Sequence, residues 1–293
     1  MSKIYDVFLF NDELDLLEAR LNYLSDIVDY FVITEVDTTF SGSPKPFHFL
    51  RNVTRFEQFS SKIIHNPVRF EKILERRFWS SYGYTDFSES YSHKHKGKVP
   101  ASLHKTQINE ILQRDACIDA LALCDDRDWV LISDVDEFPS HSALNSLISS
   151  CDDSLIYFKQ DWRVYWLNNF IDKPWFGTVA TRYKTLKLRS VDSFRLGASD
   201  CELVPGRIMP DGGWHLSYMG GASVIKKKLN DLSYQGIRAE VTKVLTNIIP
   251  FYLNYRLSRG DDILNQGRVF VKKPLEGLDL SIFPKNFLEL NLK

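Results

Sequence analysis

Trp129-Val-Leu-Ile-Ser-Asp134-Val-Asp136-Glu137-Phe-Pro139 reads as a buried strand, Trp129 to Ser133, that breaks off into three carboxylates. Pro139, without the amide hydrogen that a central strand needs, closes the stretch. In open α/β sheets the ligand crevice lies beyond the carboxyl ends of the strands, so acid at such an end marks a candidate site. Alternate residues of an extended chain share a face, which lets Asp134 and Asp136 address one cation while Val135 turns away. Oxygen ligands of this kind suit Mg²⁺ or Mn²⁺, and such a metal most naturally grips a diphosphate. The competing reading is a loop that caps the next helix, with Pro139 and Ser140 starting it. A calcium loop of the EF-hand kind is disfavoured, because the glycine turn and the distal glutamate are missing.

Upstream, Tyr5 to Phe10 is a short apolar strand, Asn11-Asp12-Glu13 a polar turn, and Leu14, Leu17, Leu21 and Leu24 one face of a helix. Tyr30 to Glu35 is the next buried strand and again ends in acid. Strand, helix, strand is a βαβ unit, so the expected fold class is α/β with a mainly parallel central sheet flanked by helices. The turn-rich loop Thr38 to Lys45 leaves the second strand on the crevice side and is a binding-loop candidate; an ordinary surface loop is the alternative. Lys62 to His65 reads as a third strand. From Trp79 to Pro100 the chain turns polar and aromatic, a candidate flap near a substrate or a plain surface excursion; His93 and His95 lack a neighbouring third metal ligand. Ala101 to Asp126 is the longest helical pattern, and its Arg114 is a partner for the carboxylates, a phosphate ligand or a surface residue.

Downstream, Ala143 to Ile148 reads as a short helix and Leu155 to Phe158 as a strand. Trp162, Tyr165, Trp166, Phe170, Trp175 and Phe176 follow, interleaved with Asp161, Asn168, Asn169 and Asp172. Rings alternating with amides and carboxylates suit sugar binding, and they suit a second-layer core equally well. Gly177 to Leu188 alternates like a strand. In Asp211-Gly-Gly-Trp214-His215 the glycines allow close backbone approach; a lone histidine is usually a satisfied core residue, and this setting raises the case that it closes a site. Lys226-Lys-Lys228 opens a helical C-terminal region.

The 293 residues are read as one domain, 1–293, with a nucleotide-sugar-binding half over 1–140 and an acceptor-binding half over 141–293. Lys plus Arg is 37 against 38 for Asp plus Glu, so there is no electrostatic footprint for nucleic acid. Cys117, Cys124, Cys151 and Cys201 form no Cys-x-x-Cys pair and look like reduced core residues. With no signal stretch and no run of membrane-span length, the expectation is a soluble, cytoplasmic chain without a transmembrane segment.

Phe10-Asn-Asp-Glu-Leu-Asp-Leu-Leu-Glu-Ala-Arg20, Asp29 to Glu35 with Thr39-Phe-Ser-Gly-Ser-Pro-Lys45, Ile132-Ser-Asp-Val-Asp-Glu-Phe-Pro139 and Gly213-Trp-His-Leu-Ser217 together resemble glycosyltransferase family 17, in collinear order over nearly the whole chain. The resemblance implies a GT-A type nucleotide-sugar fold, a divalent cation, Mn²⁺ or Mg²⁺, and inverting transfer from a UDP-sugar to a hydroxyl of a glycan or glycoprotein acceptor. UDP-N-acetylglucosamine is the family's default donor; UDP-glucose, UDP-galactose and UDP-xylose fit a diverged member. Asp134 and Asp136 match the family's Asp-x-Asp motif as metal ligands, Asp134 nearer the donor, and His215 matches a late metal-ligand position.

Such chemistry needs charge neutralised at the leaving diphosphate, with Lys228 or Arg114 as helpers, and a carboxylate base for the acceptor hydroxyl. Asp211 is the first choice of base, with Glu137, Asp161 and Glu202 open. Glu35, Thr39 and Lys45 are expected at the nucleotide. The rivals are a sugar nucleotidyltransferase, which would carry a Gly- and Lys/Arg-rich phosphate loop in place of Asn11-Asp12-Glu13, and a noncatalytic glycan-binding module built on the Trp162 to Phe176 aromatics.

Overall fold

The opening run of apolar strands and an amphipathic helix folds as read. In the computed structural model, which describes residues 2–75, 101–150, 153–188, 190–199, 206–231, 237–249, 251–263, 267–275 and 277–292, β1 (Ile4–Phe10), β2 (Tyr30–Val36) and β3 (Ile63–Val68) pair in parallel, and β4 (Trp129–Asp134) adds in parallel to the free side of β1. The register sets Phe10 beside Glu35 and Leu9 beside Asp134, so the carboxyl ends of three strands emerge at one edge. These strands are buried on both faces, which is why they read as continuous apolar runs. Phe8, Phe31, Trp129 and Leu131 pack with Leu17, Leu21 and Leu24 of α1 (Leu14–Leu24), while Val7, Val32, Val130 and Ile132 pack on the other side with Cys117 and Leu121. The long helical pattern is shorter than expected. α2 (Ala101–Asp115) gives way to a 3₁₀ segment, Ala116–Leu121, that completes the apolar stripe.

Beyond β4 the sheet turns mixed. β5 (Glu137–Pro139) is followed by α3 (His141–Ile148), and β6 (Ile156–Val164) and β7 (Asn169–Arg182) form a hairpin whose second strand pairs antiparallel with β4. A connection as short as the one between β6 and β7 leaves no room for a parallel crossover. β8 (Arg207–Met209) and β9 (Gly213–Ser217) pair in parallel with β6, and β10 (Phe270–Lys272) pairs with β7. Of the strand expected from Gly177 to Leu188, only Gly177 to Arg182 is extended, as the end of a longer strand that begins at Asn169; Tyr183–Leu186 turns helical instead. Pro139 does not close the sheet: Glu137–Pro139 is itself an edge strand with the proline last, where no ladder amide is needed, and it pairs antiparallel with β9. The two chains run so close that a Cβ on Gly213, whose φ is +112°, would strike the carbonyl of Phe138, so glycine is required there. The flap segment with His93 and His95, and Cys151, Cys201 and Glu202, lie outside the described residues.

One buried charge ties α1 to the acidic turn. Arg20 donates to both carboxylate oxygens of Asp6 on β1, at 2.7 and 2.6 Å, with both side chains wholly buried. The same guanidinium donates to the backbone carbonyls of Glu137 and, at 3.4 Å, Asp134. Arg20→Met strands Asp6 as an uncompensated buried charge and is expected to cost about 3–5 kcal/mol in urea unfolding. Adding Asp6→Leu should recover part of that loss, because no lone charge is then left inside.

Candidate active site

The carboxyl edge of β1, β2 and β4 opens into a cavity of about 450 Å³ lined by Glu13, Thr39, Lys45, Arg114, Asp134, Asp136, His215 and Lys228, among others. Four separate segments converge there. The loop after β2 is folded on itself, Thr39 N–H to Ser43 carbonyl at 2.8 Å and Lys45 N–H to Asp37 carbonyl at 2.8 Å. Asn109 and Gln113 of α2 hold it by donating to the carbonyls of Phe40 and Thr38, both at 3.0 Å. Lys228 is delivered by α5 (Gly221–Asp231), after α4 (Val191–Ser199) has crossed above β7.

Within the acidic turn the three carboxylates have three different environments. Asp134 lies between two guanidinium groups, Arg114 at 2.7 Å and Arg195 of α4 at 2.8 Å, one on each oxygen. Burial would raise its pKa, but Arg114 and then Arg195 hold it well below the usual carboxylate range. Asp136 meets Lys228 at 2.8 Å on one oxygen, and on the other the Nε2 of His215 at 3.5 Å. Burial is again overcome, here by Lys228 and His215, and the carboxyl is depressed. The Nδ1 of His215 is buried without a partner. Glu137 is wholly buried and accepts four hydrogen bonds: Trp175 Nε1 at 2.8 Å, the Asp134 amide at 2.9 Å, and Arg195 at 2.6 and 2.9 Å.

Those placements sort the residues singled out from the sequence. Asp134, Asp136, His215, Arg114, Lys228, Thr39 and Lys45 all border one cavity. Glu35 sits beneath it, wholly buried, accepting from the Phe49 amide at 3.1 Å and lying 3.8 Å from the ammonium of Lys45. Glu137, with every lone pair engaged, acts as a structural anchor and presents no free oxygen to a substrate. Asp211 and Asp161 are exposed and line a second cavity, of about 640 Å³, with Tyr23, His141 and Trp214. Strand alternation is the reason: Asp161 and Trp162, like Trp214 and His215, are sequence neighbours and so face opposite sides of the sheet. The aromatic stretch divides too, with Trp162 and Trp175 lining the first cavity and Tyr165 and Trp166 in the core.

Two residues of the site escaped the sequence reading. Arg195 belongs to no local motif, and only the crossing of α4 over β7 brings it to the acidic turn. Glu13 lies in the turn three residues past the end of β1, at the N-cap of α1. One oxygen of Glu13 accepts from the amides of Asn11 and Asp12, at 3.3 and 3.1 Å. Burial raises its pKa, against the opposing charge of Lys228. The other cavity carboxylates are paired with Lys227, Arg114, Arg195 or Lys228. Among the described residues, Glu13 alone of the cavity carboxylates has no cationic side chain within 4.0 Å. Among the described residues no group of three or more His, Cys, Asp and Glu is arranged to hold a metal; Asp136 and His215 offer two ligands.

A family model described as Glycosyltransferase family 17 matches residues 1–234. A stretch of 65 residues is 34% identical to the beta-1,4-mannosyl-glycoprotein 4-beta-N-acetylglucosaminyltransferases of Rattus norvegicus and Homo sapiens, covering 22% of this chain and only 12% of the length of those relatives. Among solved structures, HddC from Yersinia pseudotuberculosis is 10% identical with a TM-score of 0.36, over 74% of this chain and 91% of that one. Glucosyl-3-phosphoglycerate synthase from Mycobacterium tuberculosis, in complex with Mn²⁺, UDP-glucose and phosphoglyceric acid, is 12% identical with a TM-score of 0.34, over 84% and 79%.

The support beneath Arg114 carries a pH dependence. Asp115 accepts from Ser190 Oγ at 2.6 Å and from the amide of Asp192 at 3.1 Å, which anchors the start of α4. Burial pushes its carboxyl up to about 7, from an unfolded value near ~4. The fold thus favours the protonated form, and the stabilisation this brings is complete below about pH 4 and lost as pH rises through 7. Asp115→Asn, a mimic of the protonated acid, is expected to flatten the change in urea midpoint between pH 5 and pH 8 that the native chain shows. An equal slope in both proteins would contradict the assignment.

Proposed function

This chain belongs to glycosyltransferase family 17 and is an enzyme of that class; on that footing we propose that its 450 Å³ cavity transfers a sugar from a UDP-sugar donor to a hydroxyl of a glycan acceptor, with inversion at the transferred carbon. The sheet with its acids at one edge accords with the GT-A type arrangement that the family resemblance implies. The observation behind the proposal is that one cavity holds both Lys228 beside the Asp136–His215 pair and a carboxylate, Glu13, that has no ion-pair partner among the described residues. UDP-N-acetylglucosamine is the default donor, and pocket changes around one ring would decide for another sugar such as UDP-xylose.

Glu13 acts as the general base. Its carboxylate takes the proton of the acceptor hydroxyl, the acceptor oxygen forms the new bond to the anomeric carbon, and the bond from that carbon to the phosphate oxygen breaks with its electrons on UDP. A base with a raised pKa holds the proton more readily during that step. Lys228 offsets charge at the leaving diphosphate, and Thr39 and Lys45 meet the nucleotide at the β2 end. Asp134, tied to two arginines, fixes the shape of the turn and hence the aim of Asp136. Trp162 and Trp175 give a sugar ring a stacking wall.

Asp136 and His215 fit a divalent cation, Mn²⁺ or Mg²⁺. One carboxylate oxygen and one imidazole nitrogen stand 3.5 Å apart, and Mg²⁺-like ions commonly take one or two protein ligands with phosphate and water supplying the rest. A bound cation supplies Lewis-acid stabilisation of the departing diphosphate.

Glu13→Gln is expected to lower kcat in a UDP-release assay by about 10²–10⁴-fold while leaving donor affinity near the native value. Asp211→Asn, in the other cavity, should stay within about twofold. A loss confined to Asp211→Asn would return the base to that residue. Calorimetry with a UDP-sugar panel should show Mn²⁺-dependent binding that Asp136→Asn removes. No UDP binding under any condition, with glycan affinity intact, would favour the binding-module reading.

A further inference from the structure

The C-terminal lobe contains a helix built inside out. Among the residues of α6 (Ile237–Ile248) whose burial is described, the buried ones are threonines, Thr242 at 0% and Thr246 at 3% exposure, while Val244 is 51% and Ile248 70% exposed. Val241, Val244 and Ile248 are spaced three and four apart and therefore share one face. α7 (Tyr252–Ser258) follows with exposed rings at the same three- and four-residue spacing in the sequence. Phe251, at its start, is 76% exposed and Tyr255 lies one turn further on, also exposed. A monomer gains nothing by turning aliphatics and a phenylalanine outward on one stripe while burying hydroxyls, so a partner surface is implied.

The surroundings of the stripe say which. Between Gly221 and Pro274 the sequence holds ten lysines and arginines and four acidic residues; Lys227, Lys228 and Arg268 line the cavity, which leaves seven basic against four acidic residues, a net +3, outside the cavity lining in a chain whose total is −1. At the end of the stripe Arg259, well exposed, donates to the hydroxyl of Tyr255 at 2.9 Å. An aromatic ring with a polar tip and an arginine at the rim of an apolar face are the groups that sit at a membrane–water boundary. A second copy of the chain is a poor occupant, since a twofold contact would bring two like-charged lobes together.

We propose that the Val241–Val244–Ile248–Phe251–Tyr255 stripe docks the protein peripherally on a bilayer surface carrying anionic headgroups. Apolar side chains enter the headgroup boundary and the basic lobe supplies long-range attraction. No described helix is long and apolar enough to cross a membrane, so the association is one of a face lying on the surface. α5, which packs against α6, also presents Lys228 to the cavity, so docking holds the cavity at a fixed distance from the bilayer. The inference stands independently of the transfer reading, because none of the five stripe residues lines the cavity.

The test is co-sedimentation of the whole chain with vesicles of phosphatidylcholine alone and of phosphatidylcholine mixed equally with phosphatidylglycerol, at low and high salt. The native chain should pellet with the anionic vesicles, less so in high salt and weakly with neutral ones. The double variant Ile248→Glu, Phe251→Glu, both exposed positions, should keep its melting temperature and lose more than about tenfold in vesicle affinity. Native protein that stays in the supernatant with anionic vesicles, or binding unchanged in the variant, overturns the proposal. So does a concentration-dependent dimer in analytical ultracentrifugation that the variant abolishes, which would assign the stripe to a second copy.

Discussion

The cavity takes its shape from Asp134, held between Arg114 and Arg195. A carboxylate at the end of a buried strand would by itself gain from protonation or from swinging into solvent. Two guanidiniums from two different helices fix it ionised and in place, and Arg195 extends the grip to Glu137 three residues on. Arg20 holds the same turn from below through its carbonyls. Three arginines from α1, α2 and α4 therefore brace a four-residue turn, and the one acid in it left to face the histidine and the lysine is Asp136. Preorganisation of this kind matters because a charged site that has to assemble on binding loses affinity to the cost of ordering it.

This division of labour changes the meaning of an Asp-x-Asp pattern. Spacing on an extended strand says that two carboxylates share a face, and both do border the cavity. It does not say which of them has its oxygens free. Asp134 is a bracing residue by virtue of its partners, and those partners come from positions twenty residues before it and sixty-one after it.

Much of the architecture was legible because local patterns decide it. The parallel strands β1 to β4, the face of α1 and the loop after β2 follow from runs of apolar residues, leucine spacing and glycine–proline punctuation. What sequence could not reveal depends on which side of a strand a residue takes in the antiparallel half. Asp211 lies four residues before His215 in the sequence, and Asp161 is an open alternative as base. The register of β6 against β9 sends His215 to one cavity and the two aspartates to the other. Arg195 was invisible for a related reason, since its role exists only through a helix crossing. Glu13 sits in the polar turn between β1 and α1, and nothing local distinguishes a turn carboxylate that caps a helix from one that borders a cavity.

Where a nucleotide and its cation sit decides between these roles. The most direct measurement is a crystal structure of the chain soaked with UDP and Mn²⁺, with anomalous scattering used to locate the metal. The account predicts a manganese peak between Asp136 and His215, the diphosphate beside Lys228, and Asp134 still bound to its two arginines. Manganese held by Asp134 after release of Arg114 and Arg195, or UDP lodged in the second cavity beside Asp161 and Asp211, would contradict it.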